Sequence, residues 1–137
     1  AEHADDIKAR WLAAYLPLRP ESVLSHTTAA WIERLPLPYQ YALLPVHVTT
    51  PREVPRPRRR DIVTHHAFLP AAHTVVIGDL RVTSPARTYV DMAALLRFHE
   101  LVALGDLVLR DHGVTAEELL EVAQARLRYP GRRLGPP

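Results

Sequence analysis

The sequence contains no cysteine, which excludes disulfides, thiolate nucleophiles and Cys-bound zinc or iron–sulfur clusters and makes a cytoplasmic location the plain expectation. Its five glycines are scattered at positions 78, 105, 113, 131 and 135, so there is no glycine-rich loop to cradle a phosphate and no Gly-x-Ser-x-Gly nucleophile elbow. Lysine occurs once, at Lys8, ahead of every strand candidate. The acidic-and-lysine strand pair of a metal-dependent nuclease therefore cannot be assembled. No apolar run approaches the ~20 residues of a membrane span. The expectation is a chain that catalyses nothing by itself and needs no cofactor.

What is present is an ordinary globular composition of 137 residues, 47% hydrophobic and 23% charged. This suffices for one domain that buries roughly two thirds of its unfolded surface. The 17 basic and 15 acidic residues leave a net charge of only +2, so distribution matters more than balance. All the basic residues except Lys8 are arginine. The chain opens on Ala1 and its sole methionine is Met92, as expected of a removed initiator or an excised piece of a longer protein; no secretory signal is visible.

Ile7, Trp11, Tyr15 and Leu18 fall on one helical stripe, in a helix starting near Asp5-Asp6 and stopped by Pro17 and Pro20. Residues 23–35 read as a short buried approach, an N-cap at Ser25 and a helix ended by Pro36 and Pro38, with Ala29, Trp31 and Ile32 toward the core. Val46 to Thr50 and Ile62 to His66 alternate as half-buried strands. Thr74 to Ile77 and Leu80 to Thr83 flank Gly78-Asp79, a pair suited to a two-residue hairpin turn. Ser84 then offers an N-cap hydroxyl and Pro85 sits where its missing N–H costs nothing. The helix that follows puts Ala86, Tyr89, Val90, Ala93 and Leu96 on a common face. A second helix, about Phe98 to Arg110, turns Leu101, Leu104 and Val108 inward and ends at Gly113. Thr115 with Glu118 forms a capping box for a third, whose apolar face is Leu119, Leu120, Ala123 and Leu127. The predicted fold is α+β: a small, mostly antiparallel sheet from four strands, with the last three helices packed on one face.

Between the first two strand candidates lies a stretch with Arg52, Arg56, Arg58, Arg59 and Arg60 and three prolines against the single Glu53. Proline disfavours helix and removes ladder donors, so this is a stiff, extended loop presenting guanidinium groups to water. As the tip of a hairpin between the two strands, such a loop can neutralise phosphates; the alternative is a solvated arginine-rich turn. Arg87 and Asp91 stand four apart and form a helical ion pair, or, in the sharper variant, a buried arginine tied to neighbouring carbonyls. Leu101 to Leu127 imitates a helix-turn-helix, but Glu117, Glu118 and Glu121 at the second helix's start would repel DNA, which favours an αα-hairpin on the sheet. Of His47, His65, His66 and His73, the adjacent pair points to opposite faces and no carboxylate stands beside them at ligand-like spacing. They read as ordinary strand and loop histidines, with no metal.

The segments Val23-Leu24-Ser25-His26-Thr27-Thr28-Ala29-Ala30, Val46-His47-Val48-Thr49, Arg58-Arg59-Arg60 with Ile62-Val63-Thr64-His65, and Val82-Thr83-Ser84-Pro85-Ala86-Arg87-Thr88 together resemble the AbiEi-type antitoxin domain of type IV toxin–antitoxin systems, in its actinobacterial form. The similarity runs over residues 22–124. With the helix read in residues 1–20 and the Pro- and Gly-broken end, the chain divides into that N-terminal helix, an antitoxin-like interaction domain in 21–128 and a disordered tail or linker start in 129–137. The resemblance implies a non-catalytic module, its partner a nucleotidyltransferase-like toxin or DNA or other nucleic acid. Many members of the family continue into a nuclease similar to very-short-patch repair enzymes. An accessory domain of a DNA endonuclease whose catalytic part lies outside this chain is therefore the alternative. The residues assigned to partner contact are Arg52, Arg56, Arg58, Arg59 and Arg60, with Ser84, Pro85, Arg87 and Asp91 structural.

Overall fold

Gly78 adopts a φ of 61° in the turn between β4 (Thr74–Ile77) and β5 (Leu80–Thr83), the left-handed geometry such a turn demands and glycine supplies without strain. In the computed structural model, which describes residues 2–37 and 45–128 with side chains for 6–37 and 45–126, this antiparallel hairpin forms one edge of a five-stranded sheet. The other strands are β1 (Val23–Leu24), β2 (Val46–Pro51) and β3 (Ile62–Ala67), in the order β3-β2-β1-β5-β4. The fold is α+β as the sequence implies, but the sheet is mixed rather than mostly antiparallel. β2 pairs with β3 in parallel and β1 with β5 in parallel, while β1–β2 and β4–β5 are antiparallel. The fifth strand is the two-residue approach to the second helix, inserted between β2 and β5.

Parallel pairing of β2 with β3 changes the arginine-rich connection from a hairpin tip into a strap that returns the whole length of the strand. Such returns usually need a helix. Here residues 52–61 manage it in irregular backbone. Ten residues in an extended, proline-stiffened form reach about 30 Å, against about 20 Å for a six-residue strand.

The first helix, α1 (Glu2–Tyr15), buries Ala14 against Leu24, Val46, Val48, Ile62, Leu80 and Val82, with Trp11, Leu12, Tyr15 and Leu18 packed around them. The predicted α1 stripe thus reaches the sheet. After it come α2 (His26–Ile32), α3 (Pro85–Met92), α4 (Phe98–Asp111) and α5 (Ala116–Arg128). A second core joins Ala30 and Leu35 to Ala86, Met92, Leu96, Leu104, Val108, Val114 and Val122. No strand residue belongs to it: the main packing partner of α4 and α5 is α3, rather than the sheet.

Several local expectations hold. Ser84 Oγ accepts from Arg87 N at 3.3 Å with Pro85 opening α3, Glu118 N donates to Thr115 Oγ1 at 3.0 Å, and Gly113 closes α4 at a φ of 65°. Others do not. Trp31 is 39% exposed, because α2 ends at Ile32 with Arg34 turned left-handed (φ 60°) ahead of Pro36. Ala93 lies past the end of α3 and is exposed, and the buried face of that helix instead includes Arg87, Thr88 and Asp91. On α5 it is Val122 that is buried, while Leu120 is 58% exposed. The roles expected of Pro38, the Leu127 side chain and residues 129–137 lie outside the described residues.

Candidate functional site

The strap divides its arginines between two jobs. Arg59 is half-buried and anchors: its Nε donates to Asp61 Oδ1 at 2.9 Å, its Nη2 pairs with Asp61 Oδ2, and its Nη1 donates to the Ala14 carbonyl at the end of α1 at 2.7 Å. That hydrogen-bonded partner holds the Asp61 carboxyl below its ordinary range. Arg59 is therefore not presented to solvent as the sequence suggested. His66 adds a second fastening through a 2.8 Å contact from Nε2 to the Val54 carbonyl.

Arg56, Arg58 and Arg60 are exposed and, among the described residues, no carboxylate lies within ion-pair distance of any of them. Arg52 is exposed but engaged. Two arginines from outside the strap join this surface. Arg19 shares a pocket of about 280 Å³ with Arg56 and Arg59, and Arg10 of α1 shares one of about 480 Å³ with Arg60. Nothing in the spacing of the sequence places Arg10 or Arg19 beside the strap; only the packing of α1 does.

Ser84 and Pro85 open α3, and Arg87 and Asp91, one turn apart on it, meet in the interior. Arg87 Nε donates to Asp91 Oδ1 at 2.9 Å, with side chains 0% and 1% exposed. Arg87 Nη1 lies 2.9 Å from His73 Nδ1; a guanidinium can only donate, so this nitrogen is the acceptor and the His73 proton sits on Nε2. Burial, then the charge of Arg87, lowers the His73 pKa. Arg126 of α5 reaches the same Asp91 oxygen at 3.3 Å. The sharper variant is thus realised in burial but with a carboxylate and an imidazole as partners. Beside it, Thr88 Oγ1 donates to Glu33 Oε1 at 2.9 Å, and burial pushes the Glu33 carboxyl up to about 8. Glu33 Oε2, Arg87 Nη2 and Asp91 Oδ2 are buried without a partner.

A third cluster went unrecognised in the sequence. His65 and His66 do point to opposite faces of β3, but His65 meets His47 diagonally across β2, their Nε2 and Nδ1 atoms 2.9 Å apart, and His26 from the start of α2 closes the group. The His26 ring lies 3.6 Å from that of His65, centroid to centroid, and 5.7 Å from that of His47. Ser25 sits at the N-cap position without capping; its hydroxyl instead accepts from Thr49 Oγ1 at 2.7 Å and lies 3.0 Å from His26 Nδ1. His26 holds a φ of 54°, a strained conformation for a residue with a side chain. Burial, reinforced by His65, His47, Arg87 and Arg126, pushes the His26 imidazole down to about 2, and burial with His47, Arg126 and Arg56 takes His65 to about 4. Burial lowers His47 as well. Three histidines each set among serine, threonine or β-branched neighbours in separate segments were the available signal; reading them strand by strand hid it.

No protein-family model matches the chain, and no curated protein matches it.

Proposed function

We propose that this protein is a non-catalytic, antitoxin-like binding module whose β2–β3 strap engages the phosphate backbone of a nucleic acid. The carrying observation is the set of guanidinium groups without carboxylate partners, Arg56, Arg58 and Arg60 with Arg10 and Arg19 alongside, on a strap fixed at Arg59. Fixing matters: a cation held in place loses little freedom on meeting its phosphate, so more of the contact energy appears as affinity. Phosphate contacts supply position and salt-dependent affinity rather than sequence choice. No aromatic residue interleaves the strap arginines, so base stacking contributes nothing and duplex is preferred to single strand. The acidic start of α5, with Glu117 and Glu118 exposed, argues against recognition by that helix.

The resemblance of residues 22–124 to the AbiEi-type antitoxin domain supports a regulatory or defence setting. The experiment is an anisotropy titration of labelled duplex at low salt with the parent chain and with Arg56→Ala/Arg58→Ala/Arg60→Ala. The reading predicts binding by the first and markedly weaker binding by the second. Equal binding by both rejects the strap as the contact surface.

A further inference from the structure

We propose that His26, His47 and His65 form a site for a divalent transition-metal ion of the zinc class. The proposal is independent of the strap. It rests on position: three ligand-capable ring nitrogens, delivered by the β1–α2 junction, β2 and β3, lie within 4.8 Å of one another. Metal–nitrogen bonds of about 2.0–2.1 Å in a tetrahedral site put ligand nitrogens about 3.3–3.4 Å apart, and the His47–His65 pair, at 2.9 Å, needs to open only slightly to reach that spacing.

Three features fit ligation better than a chance meeting of side chains. The first is support behind the ligands. Metal-bound histidines use their second nitrogen to hold a hydrogen-bond partner that fixes ring and tautomer. His26 Nδ1 lies 3.0 Å from Ser25 Oγ, itself held by Thr49, so a partner of this kind stands beside the ring. The His47 backbone is clamped at both ends, its N–H donating to Thr28 Oγ1 at 2.9 Å and its carbonyl accepting from Ser25 N at 3.0 Å. The second is strain: the backbone of His26 is held at a φ of 54°, a left-handed conformation that a residue with a side chain adopts at a cost. The third is charge. Arg87 and Arg126 lie near enough to oppose a cation, but both donate to Asp91, which offsets much of their field; Arg56, which also acts on His65, opposes it without such an offset.

Occupancy requires two small changes. The ring that donates the His47–His65 hydrogen bond must exchange tautomer, so that both nitrogens offer lone pairs, with no net loss of a proton. His26 must turn about its Cβ–Cγ bond, a soft torsion, out of its stack on His65. Three imidazoles select zinc, cobalt, nickel or copper over magnesium or calcium, which prefer oxygen. They also leave a fourth position. No carboxylate belongs to this cluster among the described residues, so the ion keeps its full charge and that position takes an anion or water.

The test is a titration of the chelator-treated full chain, carrying no histidine affinity tag, with Co2+ followed by Zn2+, read by visible absorption and by thermal melting. The proposal predicts one equivalent of Co2+ with d–d bands of nitrogen ligation, displacement by Zn2+, and a raised melting temperature. His47→Gln, His65→Gln and His26→Gln each weaken uptake by more than the roughly tenfold that loss of an outer-shell partner costs, and His66→Gln on the opposite face of β3 retains it. Absence of stoichiometric uptake by the parent, undiminished uptake in His47→Gln, His65→Gln or His26→Gln, or equal loss in His66→Gln overturns it. If a variant fails to fold by circular dichroism, the parent's imidazole 15N shifts decide. Zn2+-dependent shifts at His26, His47 and His65 support the site, and shifts confined to other histidines refute it.

Discussion

Arg87 and Asp91 face each other one turn apart on α3, Nε to Oδ1 at 2.9 Å, with both side chains all but closed to solvent. A buried pair of this kind contributes little net stability compared with apolar residues of the same shape, but losing one member leaves the other's buried charge poorly compensated, Asp91 then keeping only the longer 3.3 Å contact with Arg126. Arg87→Ala should therefore cost about 3–5 kcal/mol, seen as a lower denaturant midpoint. Replacing both with apolar residues, as in Arg87→Met/Asp91→Leu, should cost less than the single change. An unaltered melt for Arg87→Ala would show that the guanidinium carries no structural weight.

Gly105 lets α4 approach α3. A Cβ at that position would stand 2.6 Å from Tyr89 Oη, and that hydroxyl cannot simply move aside because it donates to the Leu101 carbonyl at 3.0 Å. Gly105→Ala should destabilise by about 1–3 kcal/mol, the usual range for overpacking, in spite of alanine's better helix propensity. Tyr89→Phe should cost less in the Gly105→Ala background than alone. A chemical-denaturation double-mutant cycle with no coupling between the two changes would exclude the steric account.

Glu33 gives stability a pH dependence of known sign. Its folded pKa is raised by burial from 4.5 to about 8, so from about pH 4.5 upward the unfolded chain gives up its proton first. Stability from this group is complete below 4.5 and drains away as pH rises through 8, by at most about 1.4 kcal/mol per unit. The buried histidines act oppositely, losing stability as pH falls below 6.5 toward their lowered values. Those histidines are common to Glu33→Gln and the parent, so the difference between the two isolates Glu33. The variant should gain on the parent steadily between about pH 5 and about pH 8 in denaturation midpoints; parallel curves would contradict the assignment.

How much of this was legible in the sequence follows from how far apart the cooperating residues are. The Gly78 turn, the Ser84–Pro85 start of α3, the Thr115 cap and the Gly113 stop are each decided within four residues, and each was readable. The parallel register Thr49↔His65 and the insertion of Val23–Leu24 between β2 and β5 are set by long-range pairing that no local pattern encodes. The same reason hid the histidine cluster: His26, His47 and His65 become neighbours only through that register. For Arg87 the i, i+4 spacing announced the partner, but its burial depends on α2, α4 and α5 closing around α3.

Arg59 separates anchoring from contact within the strap. Because it is committed to Asp61 and the Ala14 carbonyl, Arg59→Ala should loosen the strap and weaken nucleic-acid affinity without altering how steeply affinity depends on salt. Arg58→Ala should lower that steepness by roughly 0.9 for each phosphate the side chain no longer neutralises. Matching slopes for the two variants in anisotropy titrations would erase the distinction.

The most direct measurement is the salt dependence of duplex binding by the parent chain and by Arg56→Ala/Arg58→Ala/Arg60→Ala. If these guanidinium groups meet phosphates, log affinity falls linearly with log salt for the parent, and the triple variant has a slope shallower by about 2.7, at roughly 0.9 per neutralised phosphate. No binding by the parent at low salt, or the same slope in both, would contradict the assignment of the strap as a phosphate-binding surface.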